Sequence, residues 1–473
     1  MSTETEATST PPQGDVEAVA RQSLLVGVAL LALAAVMHFT AWISLVFPPI
    51  FQDWGMFQFG RLEPMANAVL GFGAIYFLNV GALYLLLPRL TGATIRDVAL
   101  ARFNTLWTLL VGVVSVLSVG VGLGDGRPGF EFPLILDAIY LTTTFVPLWI
   151  GWKALQERSE PGIYPTLWAF MGGFVALAVA LIAANFPLTE ATGGWIQVAF
   201  GQGLVQWTWV LGVGVGVLWY VVPKASGRPL FSRQLAQMTF FSLLLPPMFA
   251  GLGGLAFGPV PDWAEVIGVA FRFSLIVPAI TVPALVIQTL QGADGSLIQG
   301  SPALRAAVGG SWLLAAGGLV TGLSGFPFVQ SVVGFTTFAD GTTALLTGAA
   351  VLFAAAFVYH EYPALVDRPL FSTTLAMDHI RLVQWGSALS ALFLWYAGVY
   401  AGAGFRGGTL GGLWTAVGDG FTDAAGGSVP LYMLSLLGMA LVTAGQIAFL
   451  LNLIRTGRGE ATPDSDAAEE VAA

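Results

Sequence analysis

Cysteine is absent from the 473 residues, which excludes disulfides, thiolate metal sites and iron-sulfur ligation. Histidine is scarce, at three residues, and of the eighteen cationic side chains only Lys153 and Lys224 are lysine. Charge is sparse altogether: charged residues make up 10% of the chain against 56% hydrophobic, and the mean hydropathy is +0.78. Such a composition lies outside the range of soluble globular domains and marks an all-α polytopic membrane protein, with the lipid bilayer as its first partner. Nothing resembles a phosphate loop, a nucleophilic triad or a basic nucleic-acid patch, so no nucleic acid partner is expected.

What is present is apolar sequence in runs long enough to cross a hydrocarbon core of roughly 30 Å. They read at 22-47, 65-87, 98-122, 133-153, 165-186, 194-222, 232-258, 264-291, 303-327, 333-359, 379-403 and 428-455. Twelve helices put both termini on one side. With a cytoplasmic N-terminus, Arg21, Arg89, Arg96, Arg102, Lys153, Arg158, Lys224, Arg228, Arg233, Arg305, Arg368, Arg381, Arg455 and Arg458 fall inside, and only Arg61, Arg127 and Arg406 outside. That asymmetry predicts cytoplasmic termini and a prokaryotic plasma membrane location. Residues 1-21 lack the basic flank and cleavage site of a signal peptide, so the first span is expected to remain in the mature protein.

The net charge of -9 comes mostly from two acidic tails, 1-21 and 456-473, expected to be disordered on either side of a transmembrane domain at 22-455. Scarce lysine beside acidic tails fits a high-salt organism, and fits GC-rich codon usage equally well.

Three helices end alike: the second runs to Pro88 in "LLLPRLTG", the sixth to Pro223 in "YVVPKASGRPLFS", the tenth to Pro363 in "HEYPALVDRPLFS". The pentapeptide Arg-Pro-Leu-Phe-Ser recurs at 228-232 and 368-372. Matching ends four helices apart predict three four-helix units and a pseudo-threefold architecture.

With "FGRLEPMANAVLGF" (59-72), "FAGLGGLAFGPVPDWAEVIG" (249-268) and the two pentapeptides in view, the chain resembles subunit I of the haem-copper oxidase superfamily, nearest the cbb-type oxidases and nitric oxide reductases. The resemblance covers the whole transmembrane region and implies that fold. In the family, six histidines hold two haems and a copper. The resemblance assigns their positions to Ala66 on the second helix, Gly203 on the sixth, Gly253 and Gly254 on the seventh, and Gly341 and Thr343 on the tenth. None is histidine, and Trp207 and Trp209 stand where the family carries its sixth-helix cross-link or acid region.

The three histidines present are His38, in the outer half of the first helix, and His360 and His379, at the cytoplasmic ends of the tenth and eleventh. They are too far apart to share an iron or a copper. Met65 could pair with His38 as a thioether ligand, though packing is the simpler role. Removal of imidazoles leaves either a cavity or space filled by bulky neighbours; with 33 Phe and 15 Trp, filling is expected.

Several polar groups stand within the apolar runs. Arg272 is costly at its depth and needs a partner, and Asp340 at comparable depth is the expected one, the ion pair tying helices together. Asp137 is expected at the interface. Glu361, Asp367, Asp378 and Arg381 are expected to form a helix-end salt-bridge cluster, or a proton-entry mouth. Thr142, Thr143 and Thr144 should bond back to their own helix. Pro246-Pro247 and the series Gly212, Gly214 and Gly216 predict a kink and close helix contacts.

These features imply a non-redox relative of subunit I, with no haem or copper, working beside companion membrane subunits or binding quinone, lipid or a small molecule. Two alternatives are a catalytic subunit of terminal oxidase or nitric oxide reductase type with atypical ligation, which would carry haem and copper, and a small-molecule or proton transporter on the same scaffold.

Overall fold

The structure is a computed structural model, and it describes residues 13-186, 191-405 and 421-460. Arg406 and the tail acids Glu4, Glu6, Asp464, Asp466, Glu469 and Glu470 lie outside these residues. Among the described residues, twelve helices are long and apolar enough to span a membrane: α1 (Gly14–Val46), α2 (Phe59–Thr91), α3 (Val98–Gly120), α4 (Leu134–Gln156), α5 (Pro165–Ala184), α6 (Thr192–Ser226), α7 (Arg233–Leu255), α8 (Asp262–Leu290), α9 (Pro302–Ser324), α10 (Phe338–Val366), α11 (Thr373–Gly404) and α12 (Gly426–Arg458).

Several boundaries differ from those expected: α10 covers Phe338–Val366 rather than 333-359 and α11 begins at Thr373 rather than 379, and two further shifts, in α1 and α2, bear on the interior. The first helix begins well before residue 22, because Val16, Val19 and Ala20 are buried against the bundle and extend the apolar face into the acidic segment. The second begins at Phe59 rather than 65, which moves Glu63 from a loop onto a helix.

Lipid-facing and core-facing helices separate cleanly. On α3, Phe103, Leu106, Leu110, Val113, Val114 and Leu117 are exposed along one face, a stripe suited to acyl chains. By contrast α2, α6 and α10 are largely buried. These three are the helices whose ends share a sequence, and the structure explains why. Four residues beyond each proline, Gly92, Gly227 and Asp367 adopt the left-handed conformation that ends a helix, with φ of 70°, 67° and 50°. The amides of Arg228 and Arg368 then donate to the carbonyls of Pro223 and Pro363.

The repeated pentapeptide does the same work twice. Its final serine, Ser232 or Ser372, accepts a hydrogen bond from the amide three residues on and caps the following helix. Its phenylalanine amide, at Phe231 or Phe371, donates to a threonine hydroxyl, Thr289 on α8 or Thr456 on α12. Its arginine holds the last carbonyls of the same helices, Arg228 on Gln291 and Gly292 and Arg368 on Gly457, where a cation suits the helix dipole. Val69 on α2 and Leu204 on α6, each nineteen residues before its proline, open stretches of π-helix.

The units meet through side chains. Arg89 Nη1 lies 2.5 Å from Glu361 Oε2 and 3.5 Å from the Tyr220 hydroxyl, joining α2, α6 and α10 at one end. Glu361 therefore turns to Arg89 rather than to Asp367, Asp378 and Arg381, because its side of α10 faces the bundle; Arg381 pairs with Asp378 alone, at 3.0 Å. Asp137 likewise points inward, 1% exposed, accepting from Asn185 Nδ2 at 2.9 Å rather than reaching the interface. The hydroxyls of Thr142, Thr143 and Thr144 each bond back to the carbonyl three residues earlier.

Candidate functional site

The six positions assigned to ligands divide between two regions. In the first, α6, α7 and α8 come together backbone to backbone. Helix α7 breaks at Pro246-Pro247 and continues as a tight 3-10 turn over Gly251–Leu255. A Cβ at Gly203 would overlap the Pro247 carbonyl oxygen, and one at Gly251 the Ala199 carbonyl oxygen. At Gly253 it would lie 2.7 Å from the Gly268 oxygen and 3.0 Å from Arg272 Cδ; at Gly254, 3.6 Å from Arg272 Nη1. These glycines thus permit helix contacts that no larger residue at 203 or 253 would allow without movement. Trp209, fully buried, donates from Nε1 to the Gly71 carbonyl at 3.0 Å and packs on Phe174 at 4.9 Å. Trp207 lies on the other flank, its Cη2 3.5 Å from where a Cβ at Gly318 would stand. Aromatic rings and backbone fill this half, as the composition leads one to expect.

The second region stays open. Between α1, α2, α10, α11 and α12 lies a chamber of about 180 Å³, bordered by Ala66 and Thr343 on facing walls. Its charged end is formed by His38, Glu63 and Asp340, with His38 Nδ1 2.9 Å from Glu63 Oε2. Gln446 borders it from α12, 2% exposed and, among the described residues, without a hydrogen-bond partner at either Oε1 or Nε2. The expectation of complete filling therefore fails here. Polar groups on five helices line this space, and buried polar groups without partners favour water or a ligand over collapse. Gly341 does not border the chamber; it turns to α11, where a Cβ would lie 2.8 Å from Trp395 Cδ1.

The expected Arg272–Asp340 ion pair is not formed. Arg272 Nε donates to the Thr321 carbonyl at 3.2 Å and Nη1 has no partner among the described residues, while Asp340 stands in the chamber with His38 and Glu63. Matching depth brought them together in sequence, but residue 272 faces α7 and α9 whereas residue 340 faces α1 and α2. Met65 is separated from His38 too: its sulfur lies against Gly120 of α3 and borders a different, apolar space. His379 is a packed core residue, its Nδ1 2.9 Å from the Tyr359 hydroxyl and its ring stacked on Phe449. His360 lies beside Glu361 at the Arg89 end.

Glu63 and Gln446 were the functional candidates missed in sequence. A carboxylate one turn before Ala66 shares its helix face, and would have stood out had α2 been started at Phe59. Gln446 is a lone amide in "VTAGQIAFLL".

Twelve spans, three repeated units and this two-part interior define a subunit I-type membrane protein. The family model described as Cytochrome C and Quinol oxidase polypeptide I matches residues 18–441, and the chain belongs to that family. It is 25% identical to the Cbb3-type cytochrome c oxidase subunit CcoN1 of Stutzerimonas stutzeri, over 91% of this chain and 92% of that protein. It is 24% identical to cytochrome c oxidase subunit 1 of Rhodobacter capsulatus, over 87% and 80%. Among solved structures it matches a heme-copper terminal oxidase dimer with a TM-score of 0.69 at 14% identity, covering 93% of this chain and 84% of that one.

The family binds haem and copper, and the residues here do not fit those groups. Copper needs several donors converging at about 2 Å, whereas Gly203, Gly253 and Gly254 offer no side chain, no room for one at 203 or 253, and a guanidinium alongside. A haem needs axial donors, and the chamber wall carries one imidazole, already engaged by Glu63. Among the described residues no cluster of three His, Cys, Asp or Glu converges to hold a metal ion.

Proposed function

We propose that this chain is a non-redox member of the subunit I family: an integral membrane protein in which helix packing replaces the oxygen-reducing metal centre, working beside companion membrane subunits. The observation that carries this reading is Arg272 against Gly253 and Gly254. An arginine stays charged in a protein, and a fixed cation where copper would be held repels the metal as well as excluding its ligands. The Arg89–Glu361 and Trp209–Gly71 contacts then tie together helices that cofactors would otherwise join. The names of the relatives speak for an oxidase; that reading requires donors which the residues at these positions do not provide. The cation asymmetry supports cytoplasmic termini in a prokaryotic plasma membrane.

Elemental analysis of purified protein tests the reading. Iron and copper below about 0.1 atom per chain are expected, and one or more atoms of either per chain, surviving gel filtration, would overturn it.

A second reading has a specific observation behind it. The open chamber with His38, Glu63, Asp340 and Gln446 favours a protein that binds or passes a small molecule over one that serves only as a packing partner.

A further inference from the structure

The chamber is acidic, narrow and incompletely satisfied, and these properties select a ligand. Its wall contains two carboxyl side chains, Glu63 and Asp340, one imidazole, His38, and no arginine or lysine. An anion is therefore disfavoured. The three ionisable groups border one space without converging on a point, so they do not form a metal site. What reaches them together is a molecule with extent.

The size of that molecule follows from the walls. Along α10 the lining runs from Asp340 to Val351, eleven helical steps, or roughly 16 Å at 1.5 Å per step. The volume of about 180 Å³ slightly exceeds the roughly 150 Å³ of an engineered cavity that takes up benzene. One aromatic ring with a short arm fills it.

Polarity is arranged by depth. At the charged end Trp42 lies with its ring centroid 6.2 Å from that of His38, giving an aromatic neighbour to any cation held by Glu63 and Asp340. The middle is mostly small and aliphatic, with Ala34 and Leu70 among its walls. At the deep end Gln446 is buried with both its donor and its acceptor unused, a costly state that a hydroxyl or a similar polar tip relieves.

We propose that this chamber binds a small primary amine of about ten heavy atoms: an ammonium group at Glu63 and Asp340, an apolar body of one ring with a short arm, and a polar tip at Gln446. The inference rests on the haem-free reading above, and it assigns that reading a ligand class. Binding is non-covalent and requires no proton or electron transfer.

Tyramine, phenethylamine and 4-ethylphenol separate the contributions, since the second lacks the polar tip and the third the ammonium. The optical spectrum of the full chain in lipid nanodiscs is recorded first, then each probe is titrated by equilibrium dialysis and by thermal shift. Tyramine is expected to raise the Tm with concentration. Phenethylamine should bind several-fold more weakly and 4-ethylphenol at least tenfold more weakly. Asp340→Asn and Glu63→Gln should each weaken tyramine at least tenfold, and Gln446→Leu should abolish the preference for tyramine over phenethylamine.

Equal binding of 4-ethylphenol, no binding of any probe, or unchanged affinity in folded Asp340→Asn protein would overturn the proposal. If a carboxyl variant does not fold, the probe series and Gln446→Leu still decide. A Soret band in the first spectrum would refute the haem-free reading itself; failure of the amines on Soret-free protein would refute only the ligand.

Discussion

Gly253 and Ala66 occupy positions assigned to the same kind of ligand, yet their surroundings differ completely. Around Gly253, α7 meets α8 through backbone and an arginine stem, and a single added carbon lies 2.7 Å from a carbonyl oxygen. Ala66 borders a chamber of about 180 Å³. The difference lies in what else lines each space. In the α6–α8 region, glycines on α6, α7 and α8 let the backbones close, and Trp207 and Trp209 seal the remainder. In the α1–α2–α10 region, the wall carries carboxyls, an imidazole and an unsatisfied amide, for which contact with water or a ligand costs less than dry packing. A position without a bulky side chain is therefore closed where glycines let backbones meet, and stays open where polar side chains line the space.

The largest effects should come from forcing the closed region open. Gly203→Leu and Gly253→Val place side chains into carbonyl groups and should abolish folded protein, read as loss of the monodisperse gel-filtration peak. Thr343→Leu, projecting into the chamber, should shift stability by no more than about 1 kcal/mol. Equal tolerance of all three would erase the distinction.

Next in size is the tie between the repeats. Glu361→Gln leaves Arg89 without its counter-charge and should destabilise by about 3 kcal/mol in a chemical unfolding series. Glu361→Gln combined with Arg89→Met should recover part of that loss.

A smaller effect separates the two membrane charges. Arg272→Met removes a cation with an unpartnered nitrogen and should raise stability by about 1 to 2 kcal/mol. In a double-mutant cycle with Asp340→Asn the coupling should stay below about 0.5 kcal/mol. A coupling above 1 kcal/mol would restore the ion pair.

The smallest effect lies outside the membrane, in the segment joining α3 to α4. Burial raises the Glu131 carboxyl from its ordinary 4.5 to about 7, against the bond it accepts from the Gly129 amide. A raised folded pKa gives stability that is complete below the ordinary value and fades as pH climbs through the folded one. Amide protection across residues 121-133 should thus fall between about pH 4.5 and 7, and Glu131→Gln should flatten the profile.

The sequence carried most of the fold because its strongest signals are local. Proline followed four residues later by a left-handed turn marks three helix ends, and the repeated pentapeptide brings its own serine cap. The pseudo-threefold arrangement follows from spacing alone. The site was legible only as a set of positions. Hydropathy gives a residue's depth but not the direction it faces, which is why Arg272 and Asp340 were paired across the bundle when they face different helices. It also started α2 at residue 65, hiding Glu63, and the abundance of aromatics indicated that space would be filled without saying where. The chamber needed side chains from five helices to be placed at once.

The dithionite-reduced minus air-oxidised spectrum of protein purified from haem-replete cells tests most directly whether either region holds a redox cofactor. A flat difference spectrum across the Soret and visible haem bands is expected. A Soret difference band at one haem per chain would contradict it.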